Sequence, residues 1–119
     1  MKRIFDKDVV FNGTKCWLMQ SQYQVNDRIS LLLYNAESIK EVGCTYDQGT
    51  VVIAKCTLNL TEFDINDDEA FIKDYSENKG MLKTLIEAGI VSEPIKFVKY
   101  EHVKIPLCKV LIEIPWIKK

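Results

Sequence analysis

The sequence predicts an α+β fold: a mostly antiparallel sheet of five to seven strands with one helix, at about residues 77–88, packed on one face. Three observations carry that expectation. Asn12-Gly13 stands between the apolar runs Val9-Val10-Phe11 and Cys16-Trp17-Leu18-Met19, and both residues accept the positive φ angles of a tight hairpin turn. Met81, Leu82, Leu85 and Ile86 recur at the spacing of one helical face and are followed by Gly89, a residue suited to the left-handed conformation that ends many helices. Thr50 to Leu60 alternates like a strand, with Val52, Ala54, Cys56, Leu58 and Leu60 on its more apolar side.

The remaining elements follow in chain order. A second hairpin is expected to turn at Val25-Asn26-Asp27 and lead into Ile29–Tyr34, which is apolar on both faces and therefore belongs in the middle of a sheet or under the helix. Asn35, Gly43 and Asp47-Gln48-Gly49 are turn signals, with room for a short strand at Cys44-Thr45-Tyr46. Ala70-Phe71-Ile72 reads as a short strand after an acidic turn. Ser76 or Asn78 would cap the helix, since a short polar side chain can accept a bond from an orphan backbone N–H. Ile95–Val103 and Leu107–Ile114 are expected to form a last pair around Lys104-Ile105-Pro106.

A helix of about three turns is unstable alone and must lean on the sheet. The 119 residues make one domain, 1–119, and 47% of them are hydrophobic. That suffices for a core without disulfides or metals. Residues Asp6, Lys7 and Asp8 interrupt any apolar region after the basic start, and no run reaches the length of a membrane span. A cytoplasmic protein without membrane contact is expected. A formal charge of −1 argues against nucleic-acid binding driven by phosphate neutralisation.

Candidate chemistry is sparse. Cys16, Cys44, Cys56 and Cys108 are scattered without a CxxC pair, and there is one histidine; zinc ligands usually come in close pairs, so neither a metal nor another cofactor is expected. Asp64, Asn66 and Asp68 have the spacing of a calcium loop. Glu69 then falls where such a loop needs glycine, and Tyr75 where it needs a bidentate glutamate. If the last hairpin turned near Ile105, His102 and Cys108 would face each other as a base and a thiol. A nucleophile also needs an oxyanion hole and an orienting third group, which nothing in the sequence announces. The five glycines are isolated, so there is no phosphate loop. A non-enzymatic role is expected.

Leu31-Leu32-Leu33-Tyr34, Ala54-Lys55-Cys56-Thr57-Leu58-Asn59-Leu60, Ala70-Phe71-Ile72, Leu85-Ile86-Glu87-Ala88-Gly89 and Pro106-Leu107 follow one another in the chain. In this order they resemble a small family of uncharacterised proteins from bacterial conjugative elements and phages, classified only as a domain of unknown function. The resemblance spans roughly residues 15–113. It implies a mobile-element setting and brings no catalytic residues.

The expected function is thus that of a non-catalytic protein-binding or accessory protein of a mobile element or phage, including anti-defence roles. The interaction candidates are the acidic segment, with Glu62, Phe63, Asp64, Asp67, Asp68 and Glu69, and the aromatic residues Tyr46, Tyr75 and Trp116. Aromatic anchors with charged rims are what interfaces favour. The alternative is a small-ligand or single-stranded nucleic-acid binder. It would use a pocket lined by Trp17, Tyr23 and Tyr34, or the lysines Lys96, Lys99, Lys104 and Lys109 interleaved with Phe97 and Tyr100. Glu93, Glu101 and Glu113 oppose the second version.

Overall fold

The computed structural model describes residues 8–36 and 52–113. Among these residues, eight strands form two four-stranded antiparallel sheets. The first holds β1 (Val9–Phe11), β2 (Thr14–Gln22), β3 (Ile29–Asn35) and β4 (Val52–Lys55), in that spatial order. The second holds β5 (Thr57–Leu58), β6 (Glu69–Ile72), β8 (Val103–Lys109) and β7 (Lys96–Tyr100), again in spatial order. A helix, α1 (Met81–Glu87), follows β6 and packs into the main core. The class is α+β as expected, but two four-stranded sheets replace the single sheet of five to seven strands.

The first hairpin turns at Asn12 (φ 49°) and Gly13 (φ 79°), pairing Phe11 with Thr14. The second closes through Asp27 (φ 61°), with Asp27 N–H donating to Tyr23 O at 2.8 Å. β2 and β3 then pair from Cys16↔Asn35 to Gln22↔Ile29. Their inward face places Cys16, Leu18, Leu31 and Leu33 in the main core, together with Ala70, Ile72 and Cys108 of the second sheet and Met81 and Leu85 of the helix. The helix therefore seals a core shared by both sheets.

The expected strand from Thr50 to Leu60 is broken at Cys56, and Thr50 and Val51 lie outside the described residues. Cys56 N–H donates to Leu31 O of the first sheet, while its own carbonyl accepts from Lys73 N–H beyond the end of β6, both at 2.8 Å. Thr57 is fully buried, and its hydroxyl accepts from Leu31 N–H at 3.2 Å and meets Tyr23 Oη at 3.0 Å. Burial of Cys56 and Thr57 in succession breaks strand alternation. The partners that cause this are remote in sequence, so a local pattern does not reveal it.

The helix starts later than the expected position 77. Ser76–Asn78 forms a 3-10 turn, and Gly80 occupies the N-cap position with φ 96°. Neither Ser76 nor Asn78 caps α1: Asn78 is buried and its Nδ2 donates to Lys55 O at 2.6 Å. Asp74 serves instead, its Oδ1 accepting from Gly80 N–H at 3.1 Å and Leu82 N–H at 2.9 Å. The end is as expected. Gly89 has φ 77°, its N–H donates to Ile86 O, and Ile90 N–H donates to Leu85 O. These paired bonds, with buried Leu85 and Ile90 in one cluster, form the glycine-terminated cap of many helices. Asp74→Ala should cost about 1 kcal/mol of stability and lower the melting midpoint by roughly 3–6 °C. Asp74→Asn should lose less, and an unchanged melt for Ala would deny the capping role.

The last hairpin also differs. It turns at Glu101-His102, with Glu101 at φ 55°, and Pro106 lies inside β8 opposite Phe97. Pairing of β8 with β6 begins one residue later, at Leu107↔Phe71. Pro106 thus stands just beyond that ladder, where a missing N–H is tolerated.

Candidate docking edge

Two residues of the acidic segment, Asp68 and Glu69, hold their own loop. Asp68 O accepts from Val110 N–H at 2.7 Å, and its carboxylate lies 3.5 Å from Lys109 Nζ. Glu69 is the first residue of β6, and its Oε1 accepts from Asn66 N–H at 2.8 Å. Glu62, Asp64 and Asp67 are exposed. Phe63 and Tyr75 are half-buried against a second core cluster of Leu60, Phe71, Val98, Ile105 and Leu107. The Phe63 and Phe71 rings are 5.8 Å apart at 60°, an edge-to-face type of contact. Arg28 ties this loop to the first sheet, donating from its guanidinium to Leu60 O and Phe63 O. Tyr46 and Trp116 lie outside the described residues.

Trp17, Tyr23 and Tyr34 line no common pocket. Trp17 and Tyr34 are cross-strand neighbours at one end of β2, packed with Ala36, whereas Tyr23 follows the other end and bonds Thr57. Six residues of strand separate Trp17 from Tyr23, about 20 Å at 3.3 Å per residue.

His102 and Cys108 are likewise apart. His102 is exposed in the turn, and Cys108 is buried five places beyond the start of β8, opposite Ala70. Burial pushes the Cys108 thiol up to about 12, with Glu93 and Asp74 adding to the rise. Burial raises Cys56 and Cys16 as well. A thiol held protonated is a poor nucleophile. Iodoacetamide should therefore leave Cys16, Cys56 and Cys108 unmodified in the native protein and label them in urea. Rapid native labelling of any of the three, read by peptide mass spectrometry, would contradict that burial. Among the described residues, no three His, Cys, Asp or Glu side chains converge as a metal site. None of the described helices is long and apolar enough to cross a membrane.

What the structure does assemble is an edge. β7 borders the second sheet and pairs only with β8 among the described residues. In an antiparallel ladder, pairs that exchange both N–H···O bonds alternate with pairs that exchange none. Pro106 has no N–H, so Phe97↔Pro106 is of the second kind. Lys96, Val98 and Tyr100 then address β8, in keeping with closure of the two-residue turn at Tyr100↔Val103. Phe97 and Lys99 direct their backbone N–H and C=O away from β8. At the strand's start Ile95 N–H also reaches Leu107 O, at 2.7 Å, so two consecutive residues face Leu107 as in a bulge.

The side chains along this edge divide by face. Val98 turns into the second core cluster with Ile105. Phe97 and Lys99 share the opposite face with Pro106 and Lys104, and Phe97 is 56% exposed. Ile95, 54% exposed, and Lys96 form one wall of a groove of about 310 Å³ whose other wall is Asp64, Ile65, Asn66 and Glu69. Of the acidic candidates, Asp64 and Glu69 are thereby brought beside the edge strand. The strand itself was expected within Ile95–Val103, and its lysines are the sequence signal that could have placed it at the border, since lysine is a common residue there. No family model, no curated protein and no solved structure matches the chain.

Proposed function

We propose that this chain is a non-catalytic protein-binding module, and that β7 is where it receives a partner. The observation that supports the reading is the combination on one short strand of outward backbone N–H and C=O groups with the exposed side chain of Phe97, and of Ile95 just before the strand. Main-chain bonds at such an edge supply affinity, while alternate side chains supply selectivity. A mobile-element setting, and within it an accessory or anti-defence role, rests on the sequence resemblance alone.

Affinity purification of the tagged chain from a host cell tests the proposal. A stable protein should co-purify with the native chain, and Phe97→Pro should lose it. Proline there removes an outward N–H while leaving the bonds of Lys96, Val98 and Tyr100 to β8. Recovery of no partner by a soluble, folded bait would count against the reading. Retention of the partner by a folded Phe97→Pro variant would move the site away from β7.

A further inference from the structure

We infer that the segment received by β7 is an extended stretch of another protein carrying an acidic residue two positions from an apolar one. This rests on the docking reading and adds the chemistry of the partner. Lys99 and Lys104 stand directly opposite each other, on the face that also carries Phe97. Both are exposed, and neither joins an ion pair among the described residues, where Lys73–Glu77, Lys83–Glu87 and Lys109–Asp68 are the pairs formed. Like charges directly across a ladder repel, so a carboxylate brought between them removes a strain already present. Glu101 is exposed in the adjoining turn, leaving the Lys99–Lys104 end with one net positive charge.

A strand added to β7 would place alternate side chains on the Phe97 face. The one opposite Phe97 meets an aromatic ring and Pro106, which favours an aliphatic or aromatic residue. The one opposite Lys99, two positions on, meets two ammonium groups, which favours Asp or Glu. At the other end of β7 the groove wall of Asp64 and Glu69 is acidic. The acidic residue of the partner is therefore assigned to the turn end of the strand, and the groove end excludes a second one.

A nucleic-acid strand could use the same lysines and Phe97. It would leave the outward backbone groups of Phe97 and Lys99 without the alternating donors and acceptors that a peptide offers. The chain's formal charge of −1 also provides no broader attraction for phosphates.

Selection of random nonapeptides displayed on phage against the folded chain tests this inference, with selected peptides measured by fluorescence anisotropy. Enrichment of Asp or Glu two positions from an apolar residue is expected. Lys99→Glu and Lys104→Glu should each weaken those peptides about tenfold, since like charge at an interface is costly, without changing the circular dichroism spectrum. Lys99→Pro should abolish binding. Enriched peptides that are neutral or basic, and that Lys99→Pro still releases, would overturn the acidic specificity while leaving β7 as the docking edge. Peptides indifferent to Lys99→Pro and to both glutamate variants would overturn both. Tighter binding of an oligothymidylate than of any selected peptide, or concentration-dependent dimerisation in light scattering that Lys99→Pro abolishes, would replace the foreign segment with nucleic acid or a second copy.

Discussion

Phe71→Ala should destabilise the protein by about 3–5 kcal/mol, measured as the loss of unfolding free energy in urea. Phe71 is fully buried in β6, at the point where that strand meets both β5 and β8 through Leu58 and Leu107. Its ring fills the second core cluster and supports Phe63. Removing it leaves a cavity whose walls belong to three strands, so collapse is hindered. Since small domains have only about 5–15 kcal/mol in total, the variant should be near its unfolding midpoint under mild conditions. A loss below about 1 kcal/mol would mean that the loop over this cluster repacks freely.

Arg28→Met should cost about 2–3 kcal/mol, although it retains an apolar stem of similar length. The guanidinium is half-buried and donates to two carbonyls, Leu60 O and Phe63 O, that open the acidic loop. Hydrogen bonds from a charged donor contribute more than neutral ones. Leu60 O keeps the Phe63 N–H as a donor at 3.2 Å, so the desolvation cost of an orphaned carbonyl falls on Phe63 O. Asn26 Nδ2 makes a parallel tie to Asn59 Oδ1 at 3.0 Å, which should keep the loop attached and limit the loss. The same variant should expose Phe63, read as increased binding of a hydrophobic dye at equal native content. An unchanged urea midpoint would show that Arg28 decorates the loop without holding it.

The elements legible in the sequence were those whose cause is local. Asn12-Gly13 and Gly89 demand left-handed backbone wherever they stand in such a pattern, and the helical face of Met81, Leu82, Leu85 and Ile86 is a matter of spacing. The misread elements have remote causes. Pro106 resembled a turn residue, yet the turn belongs to Glu101-His102, where neither residue is a glycine or asparagine. Asn78 had the chemistry of a cap but is occupied with Lys55 O, and the effective cap, Asp74, acts on amides six and eight residues away. For the candidate site, the acidic character of residues 62–69 was plain, while the internal bonds of Asp68 and Glu69 were not. The two lysines of KFVKY fit a sheet border, but they do not say which of its residues turn their backbone outward. Strand order alone turns Phe97 and Lys99 outward.

Cys56 has one amide hydrogen committed to one sheet and one carbonyl oxygen committed to the other. Neither sheet can therefore open at this residue without pulling on its neighbour. The unit of unfolding should be the whole domain. In native-state hydrogen exchange, the amides of Cys56, Leu31 and Lys73 should exchange with a common free energy equal to that of global unfolding. The core shared by both sheets already binds them together, and Cys56 adds a backbone link through which opening of one sheet is felt by the other.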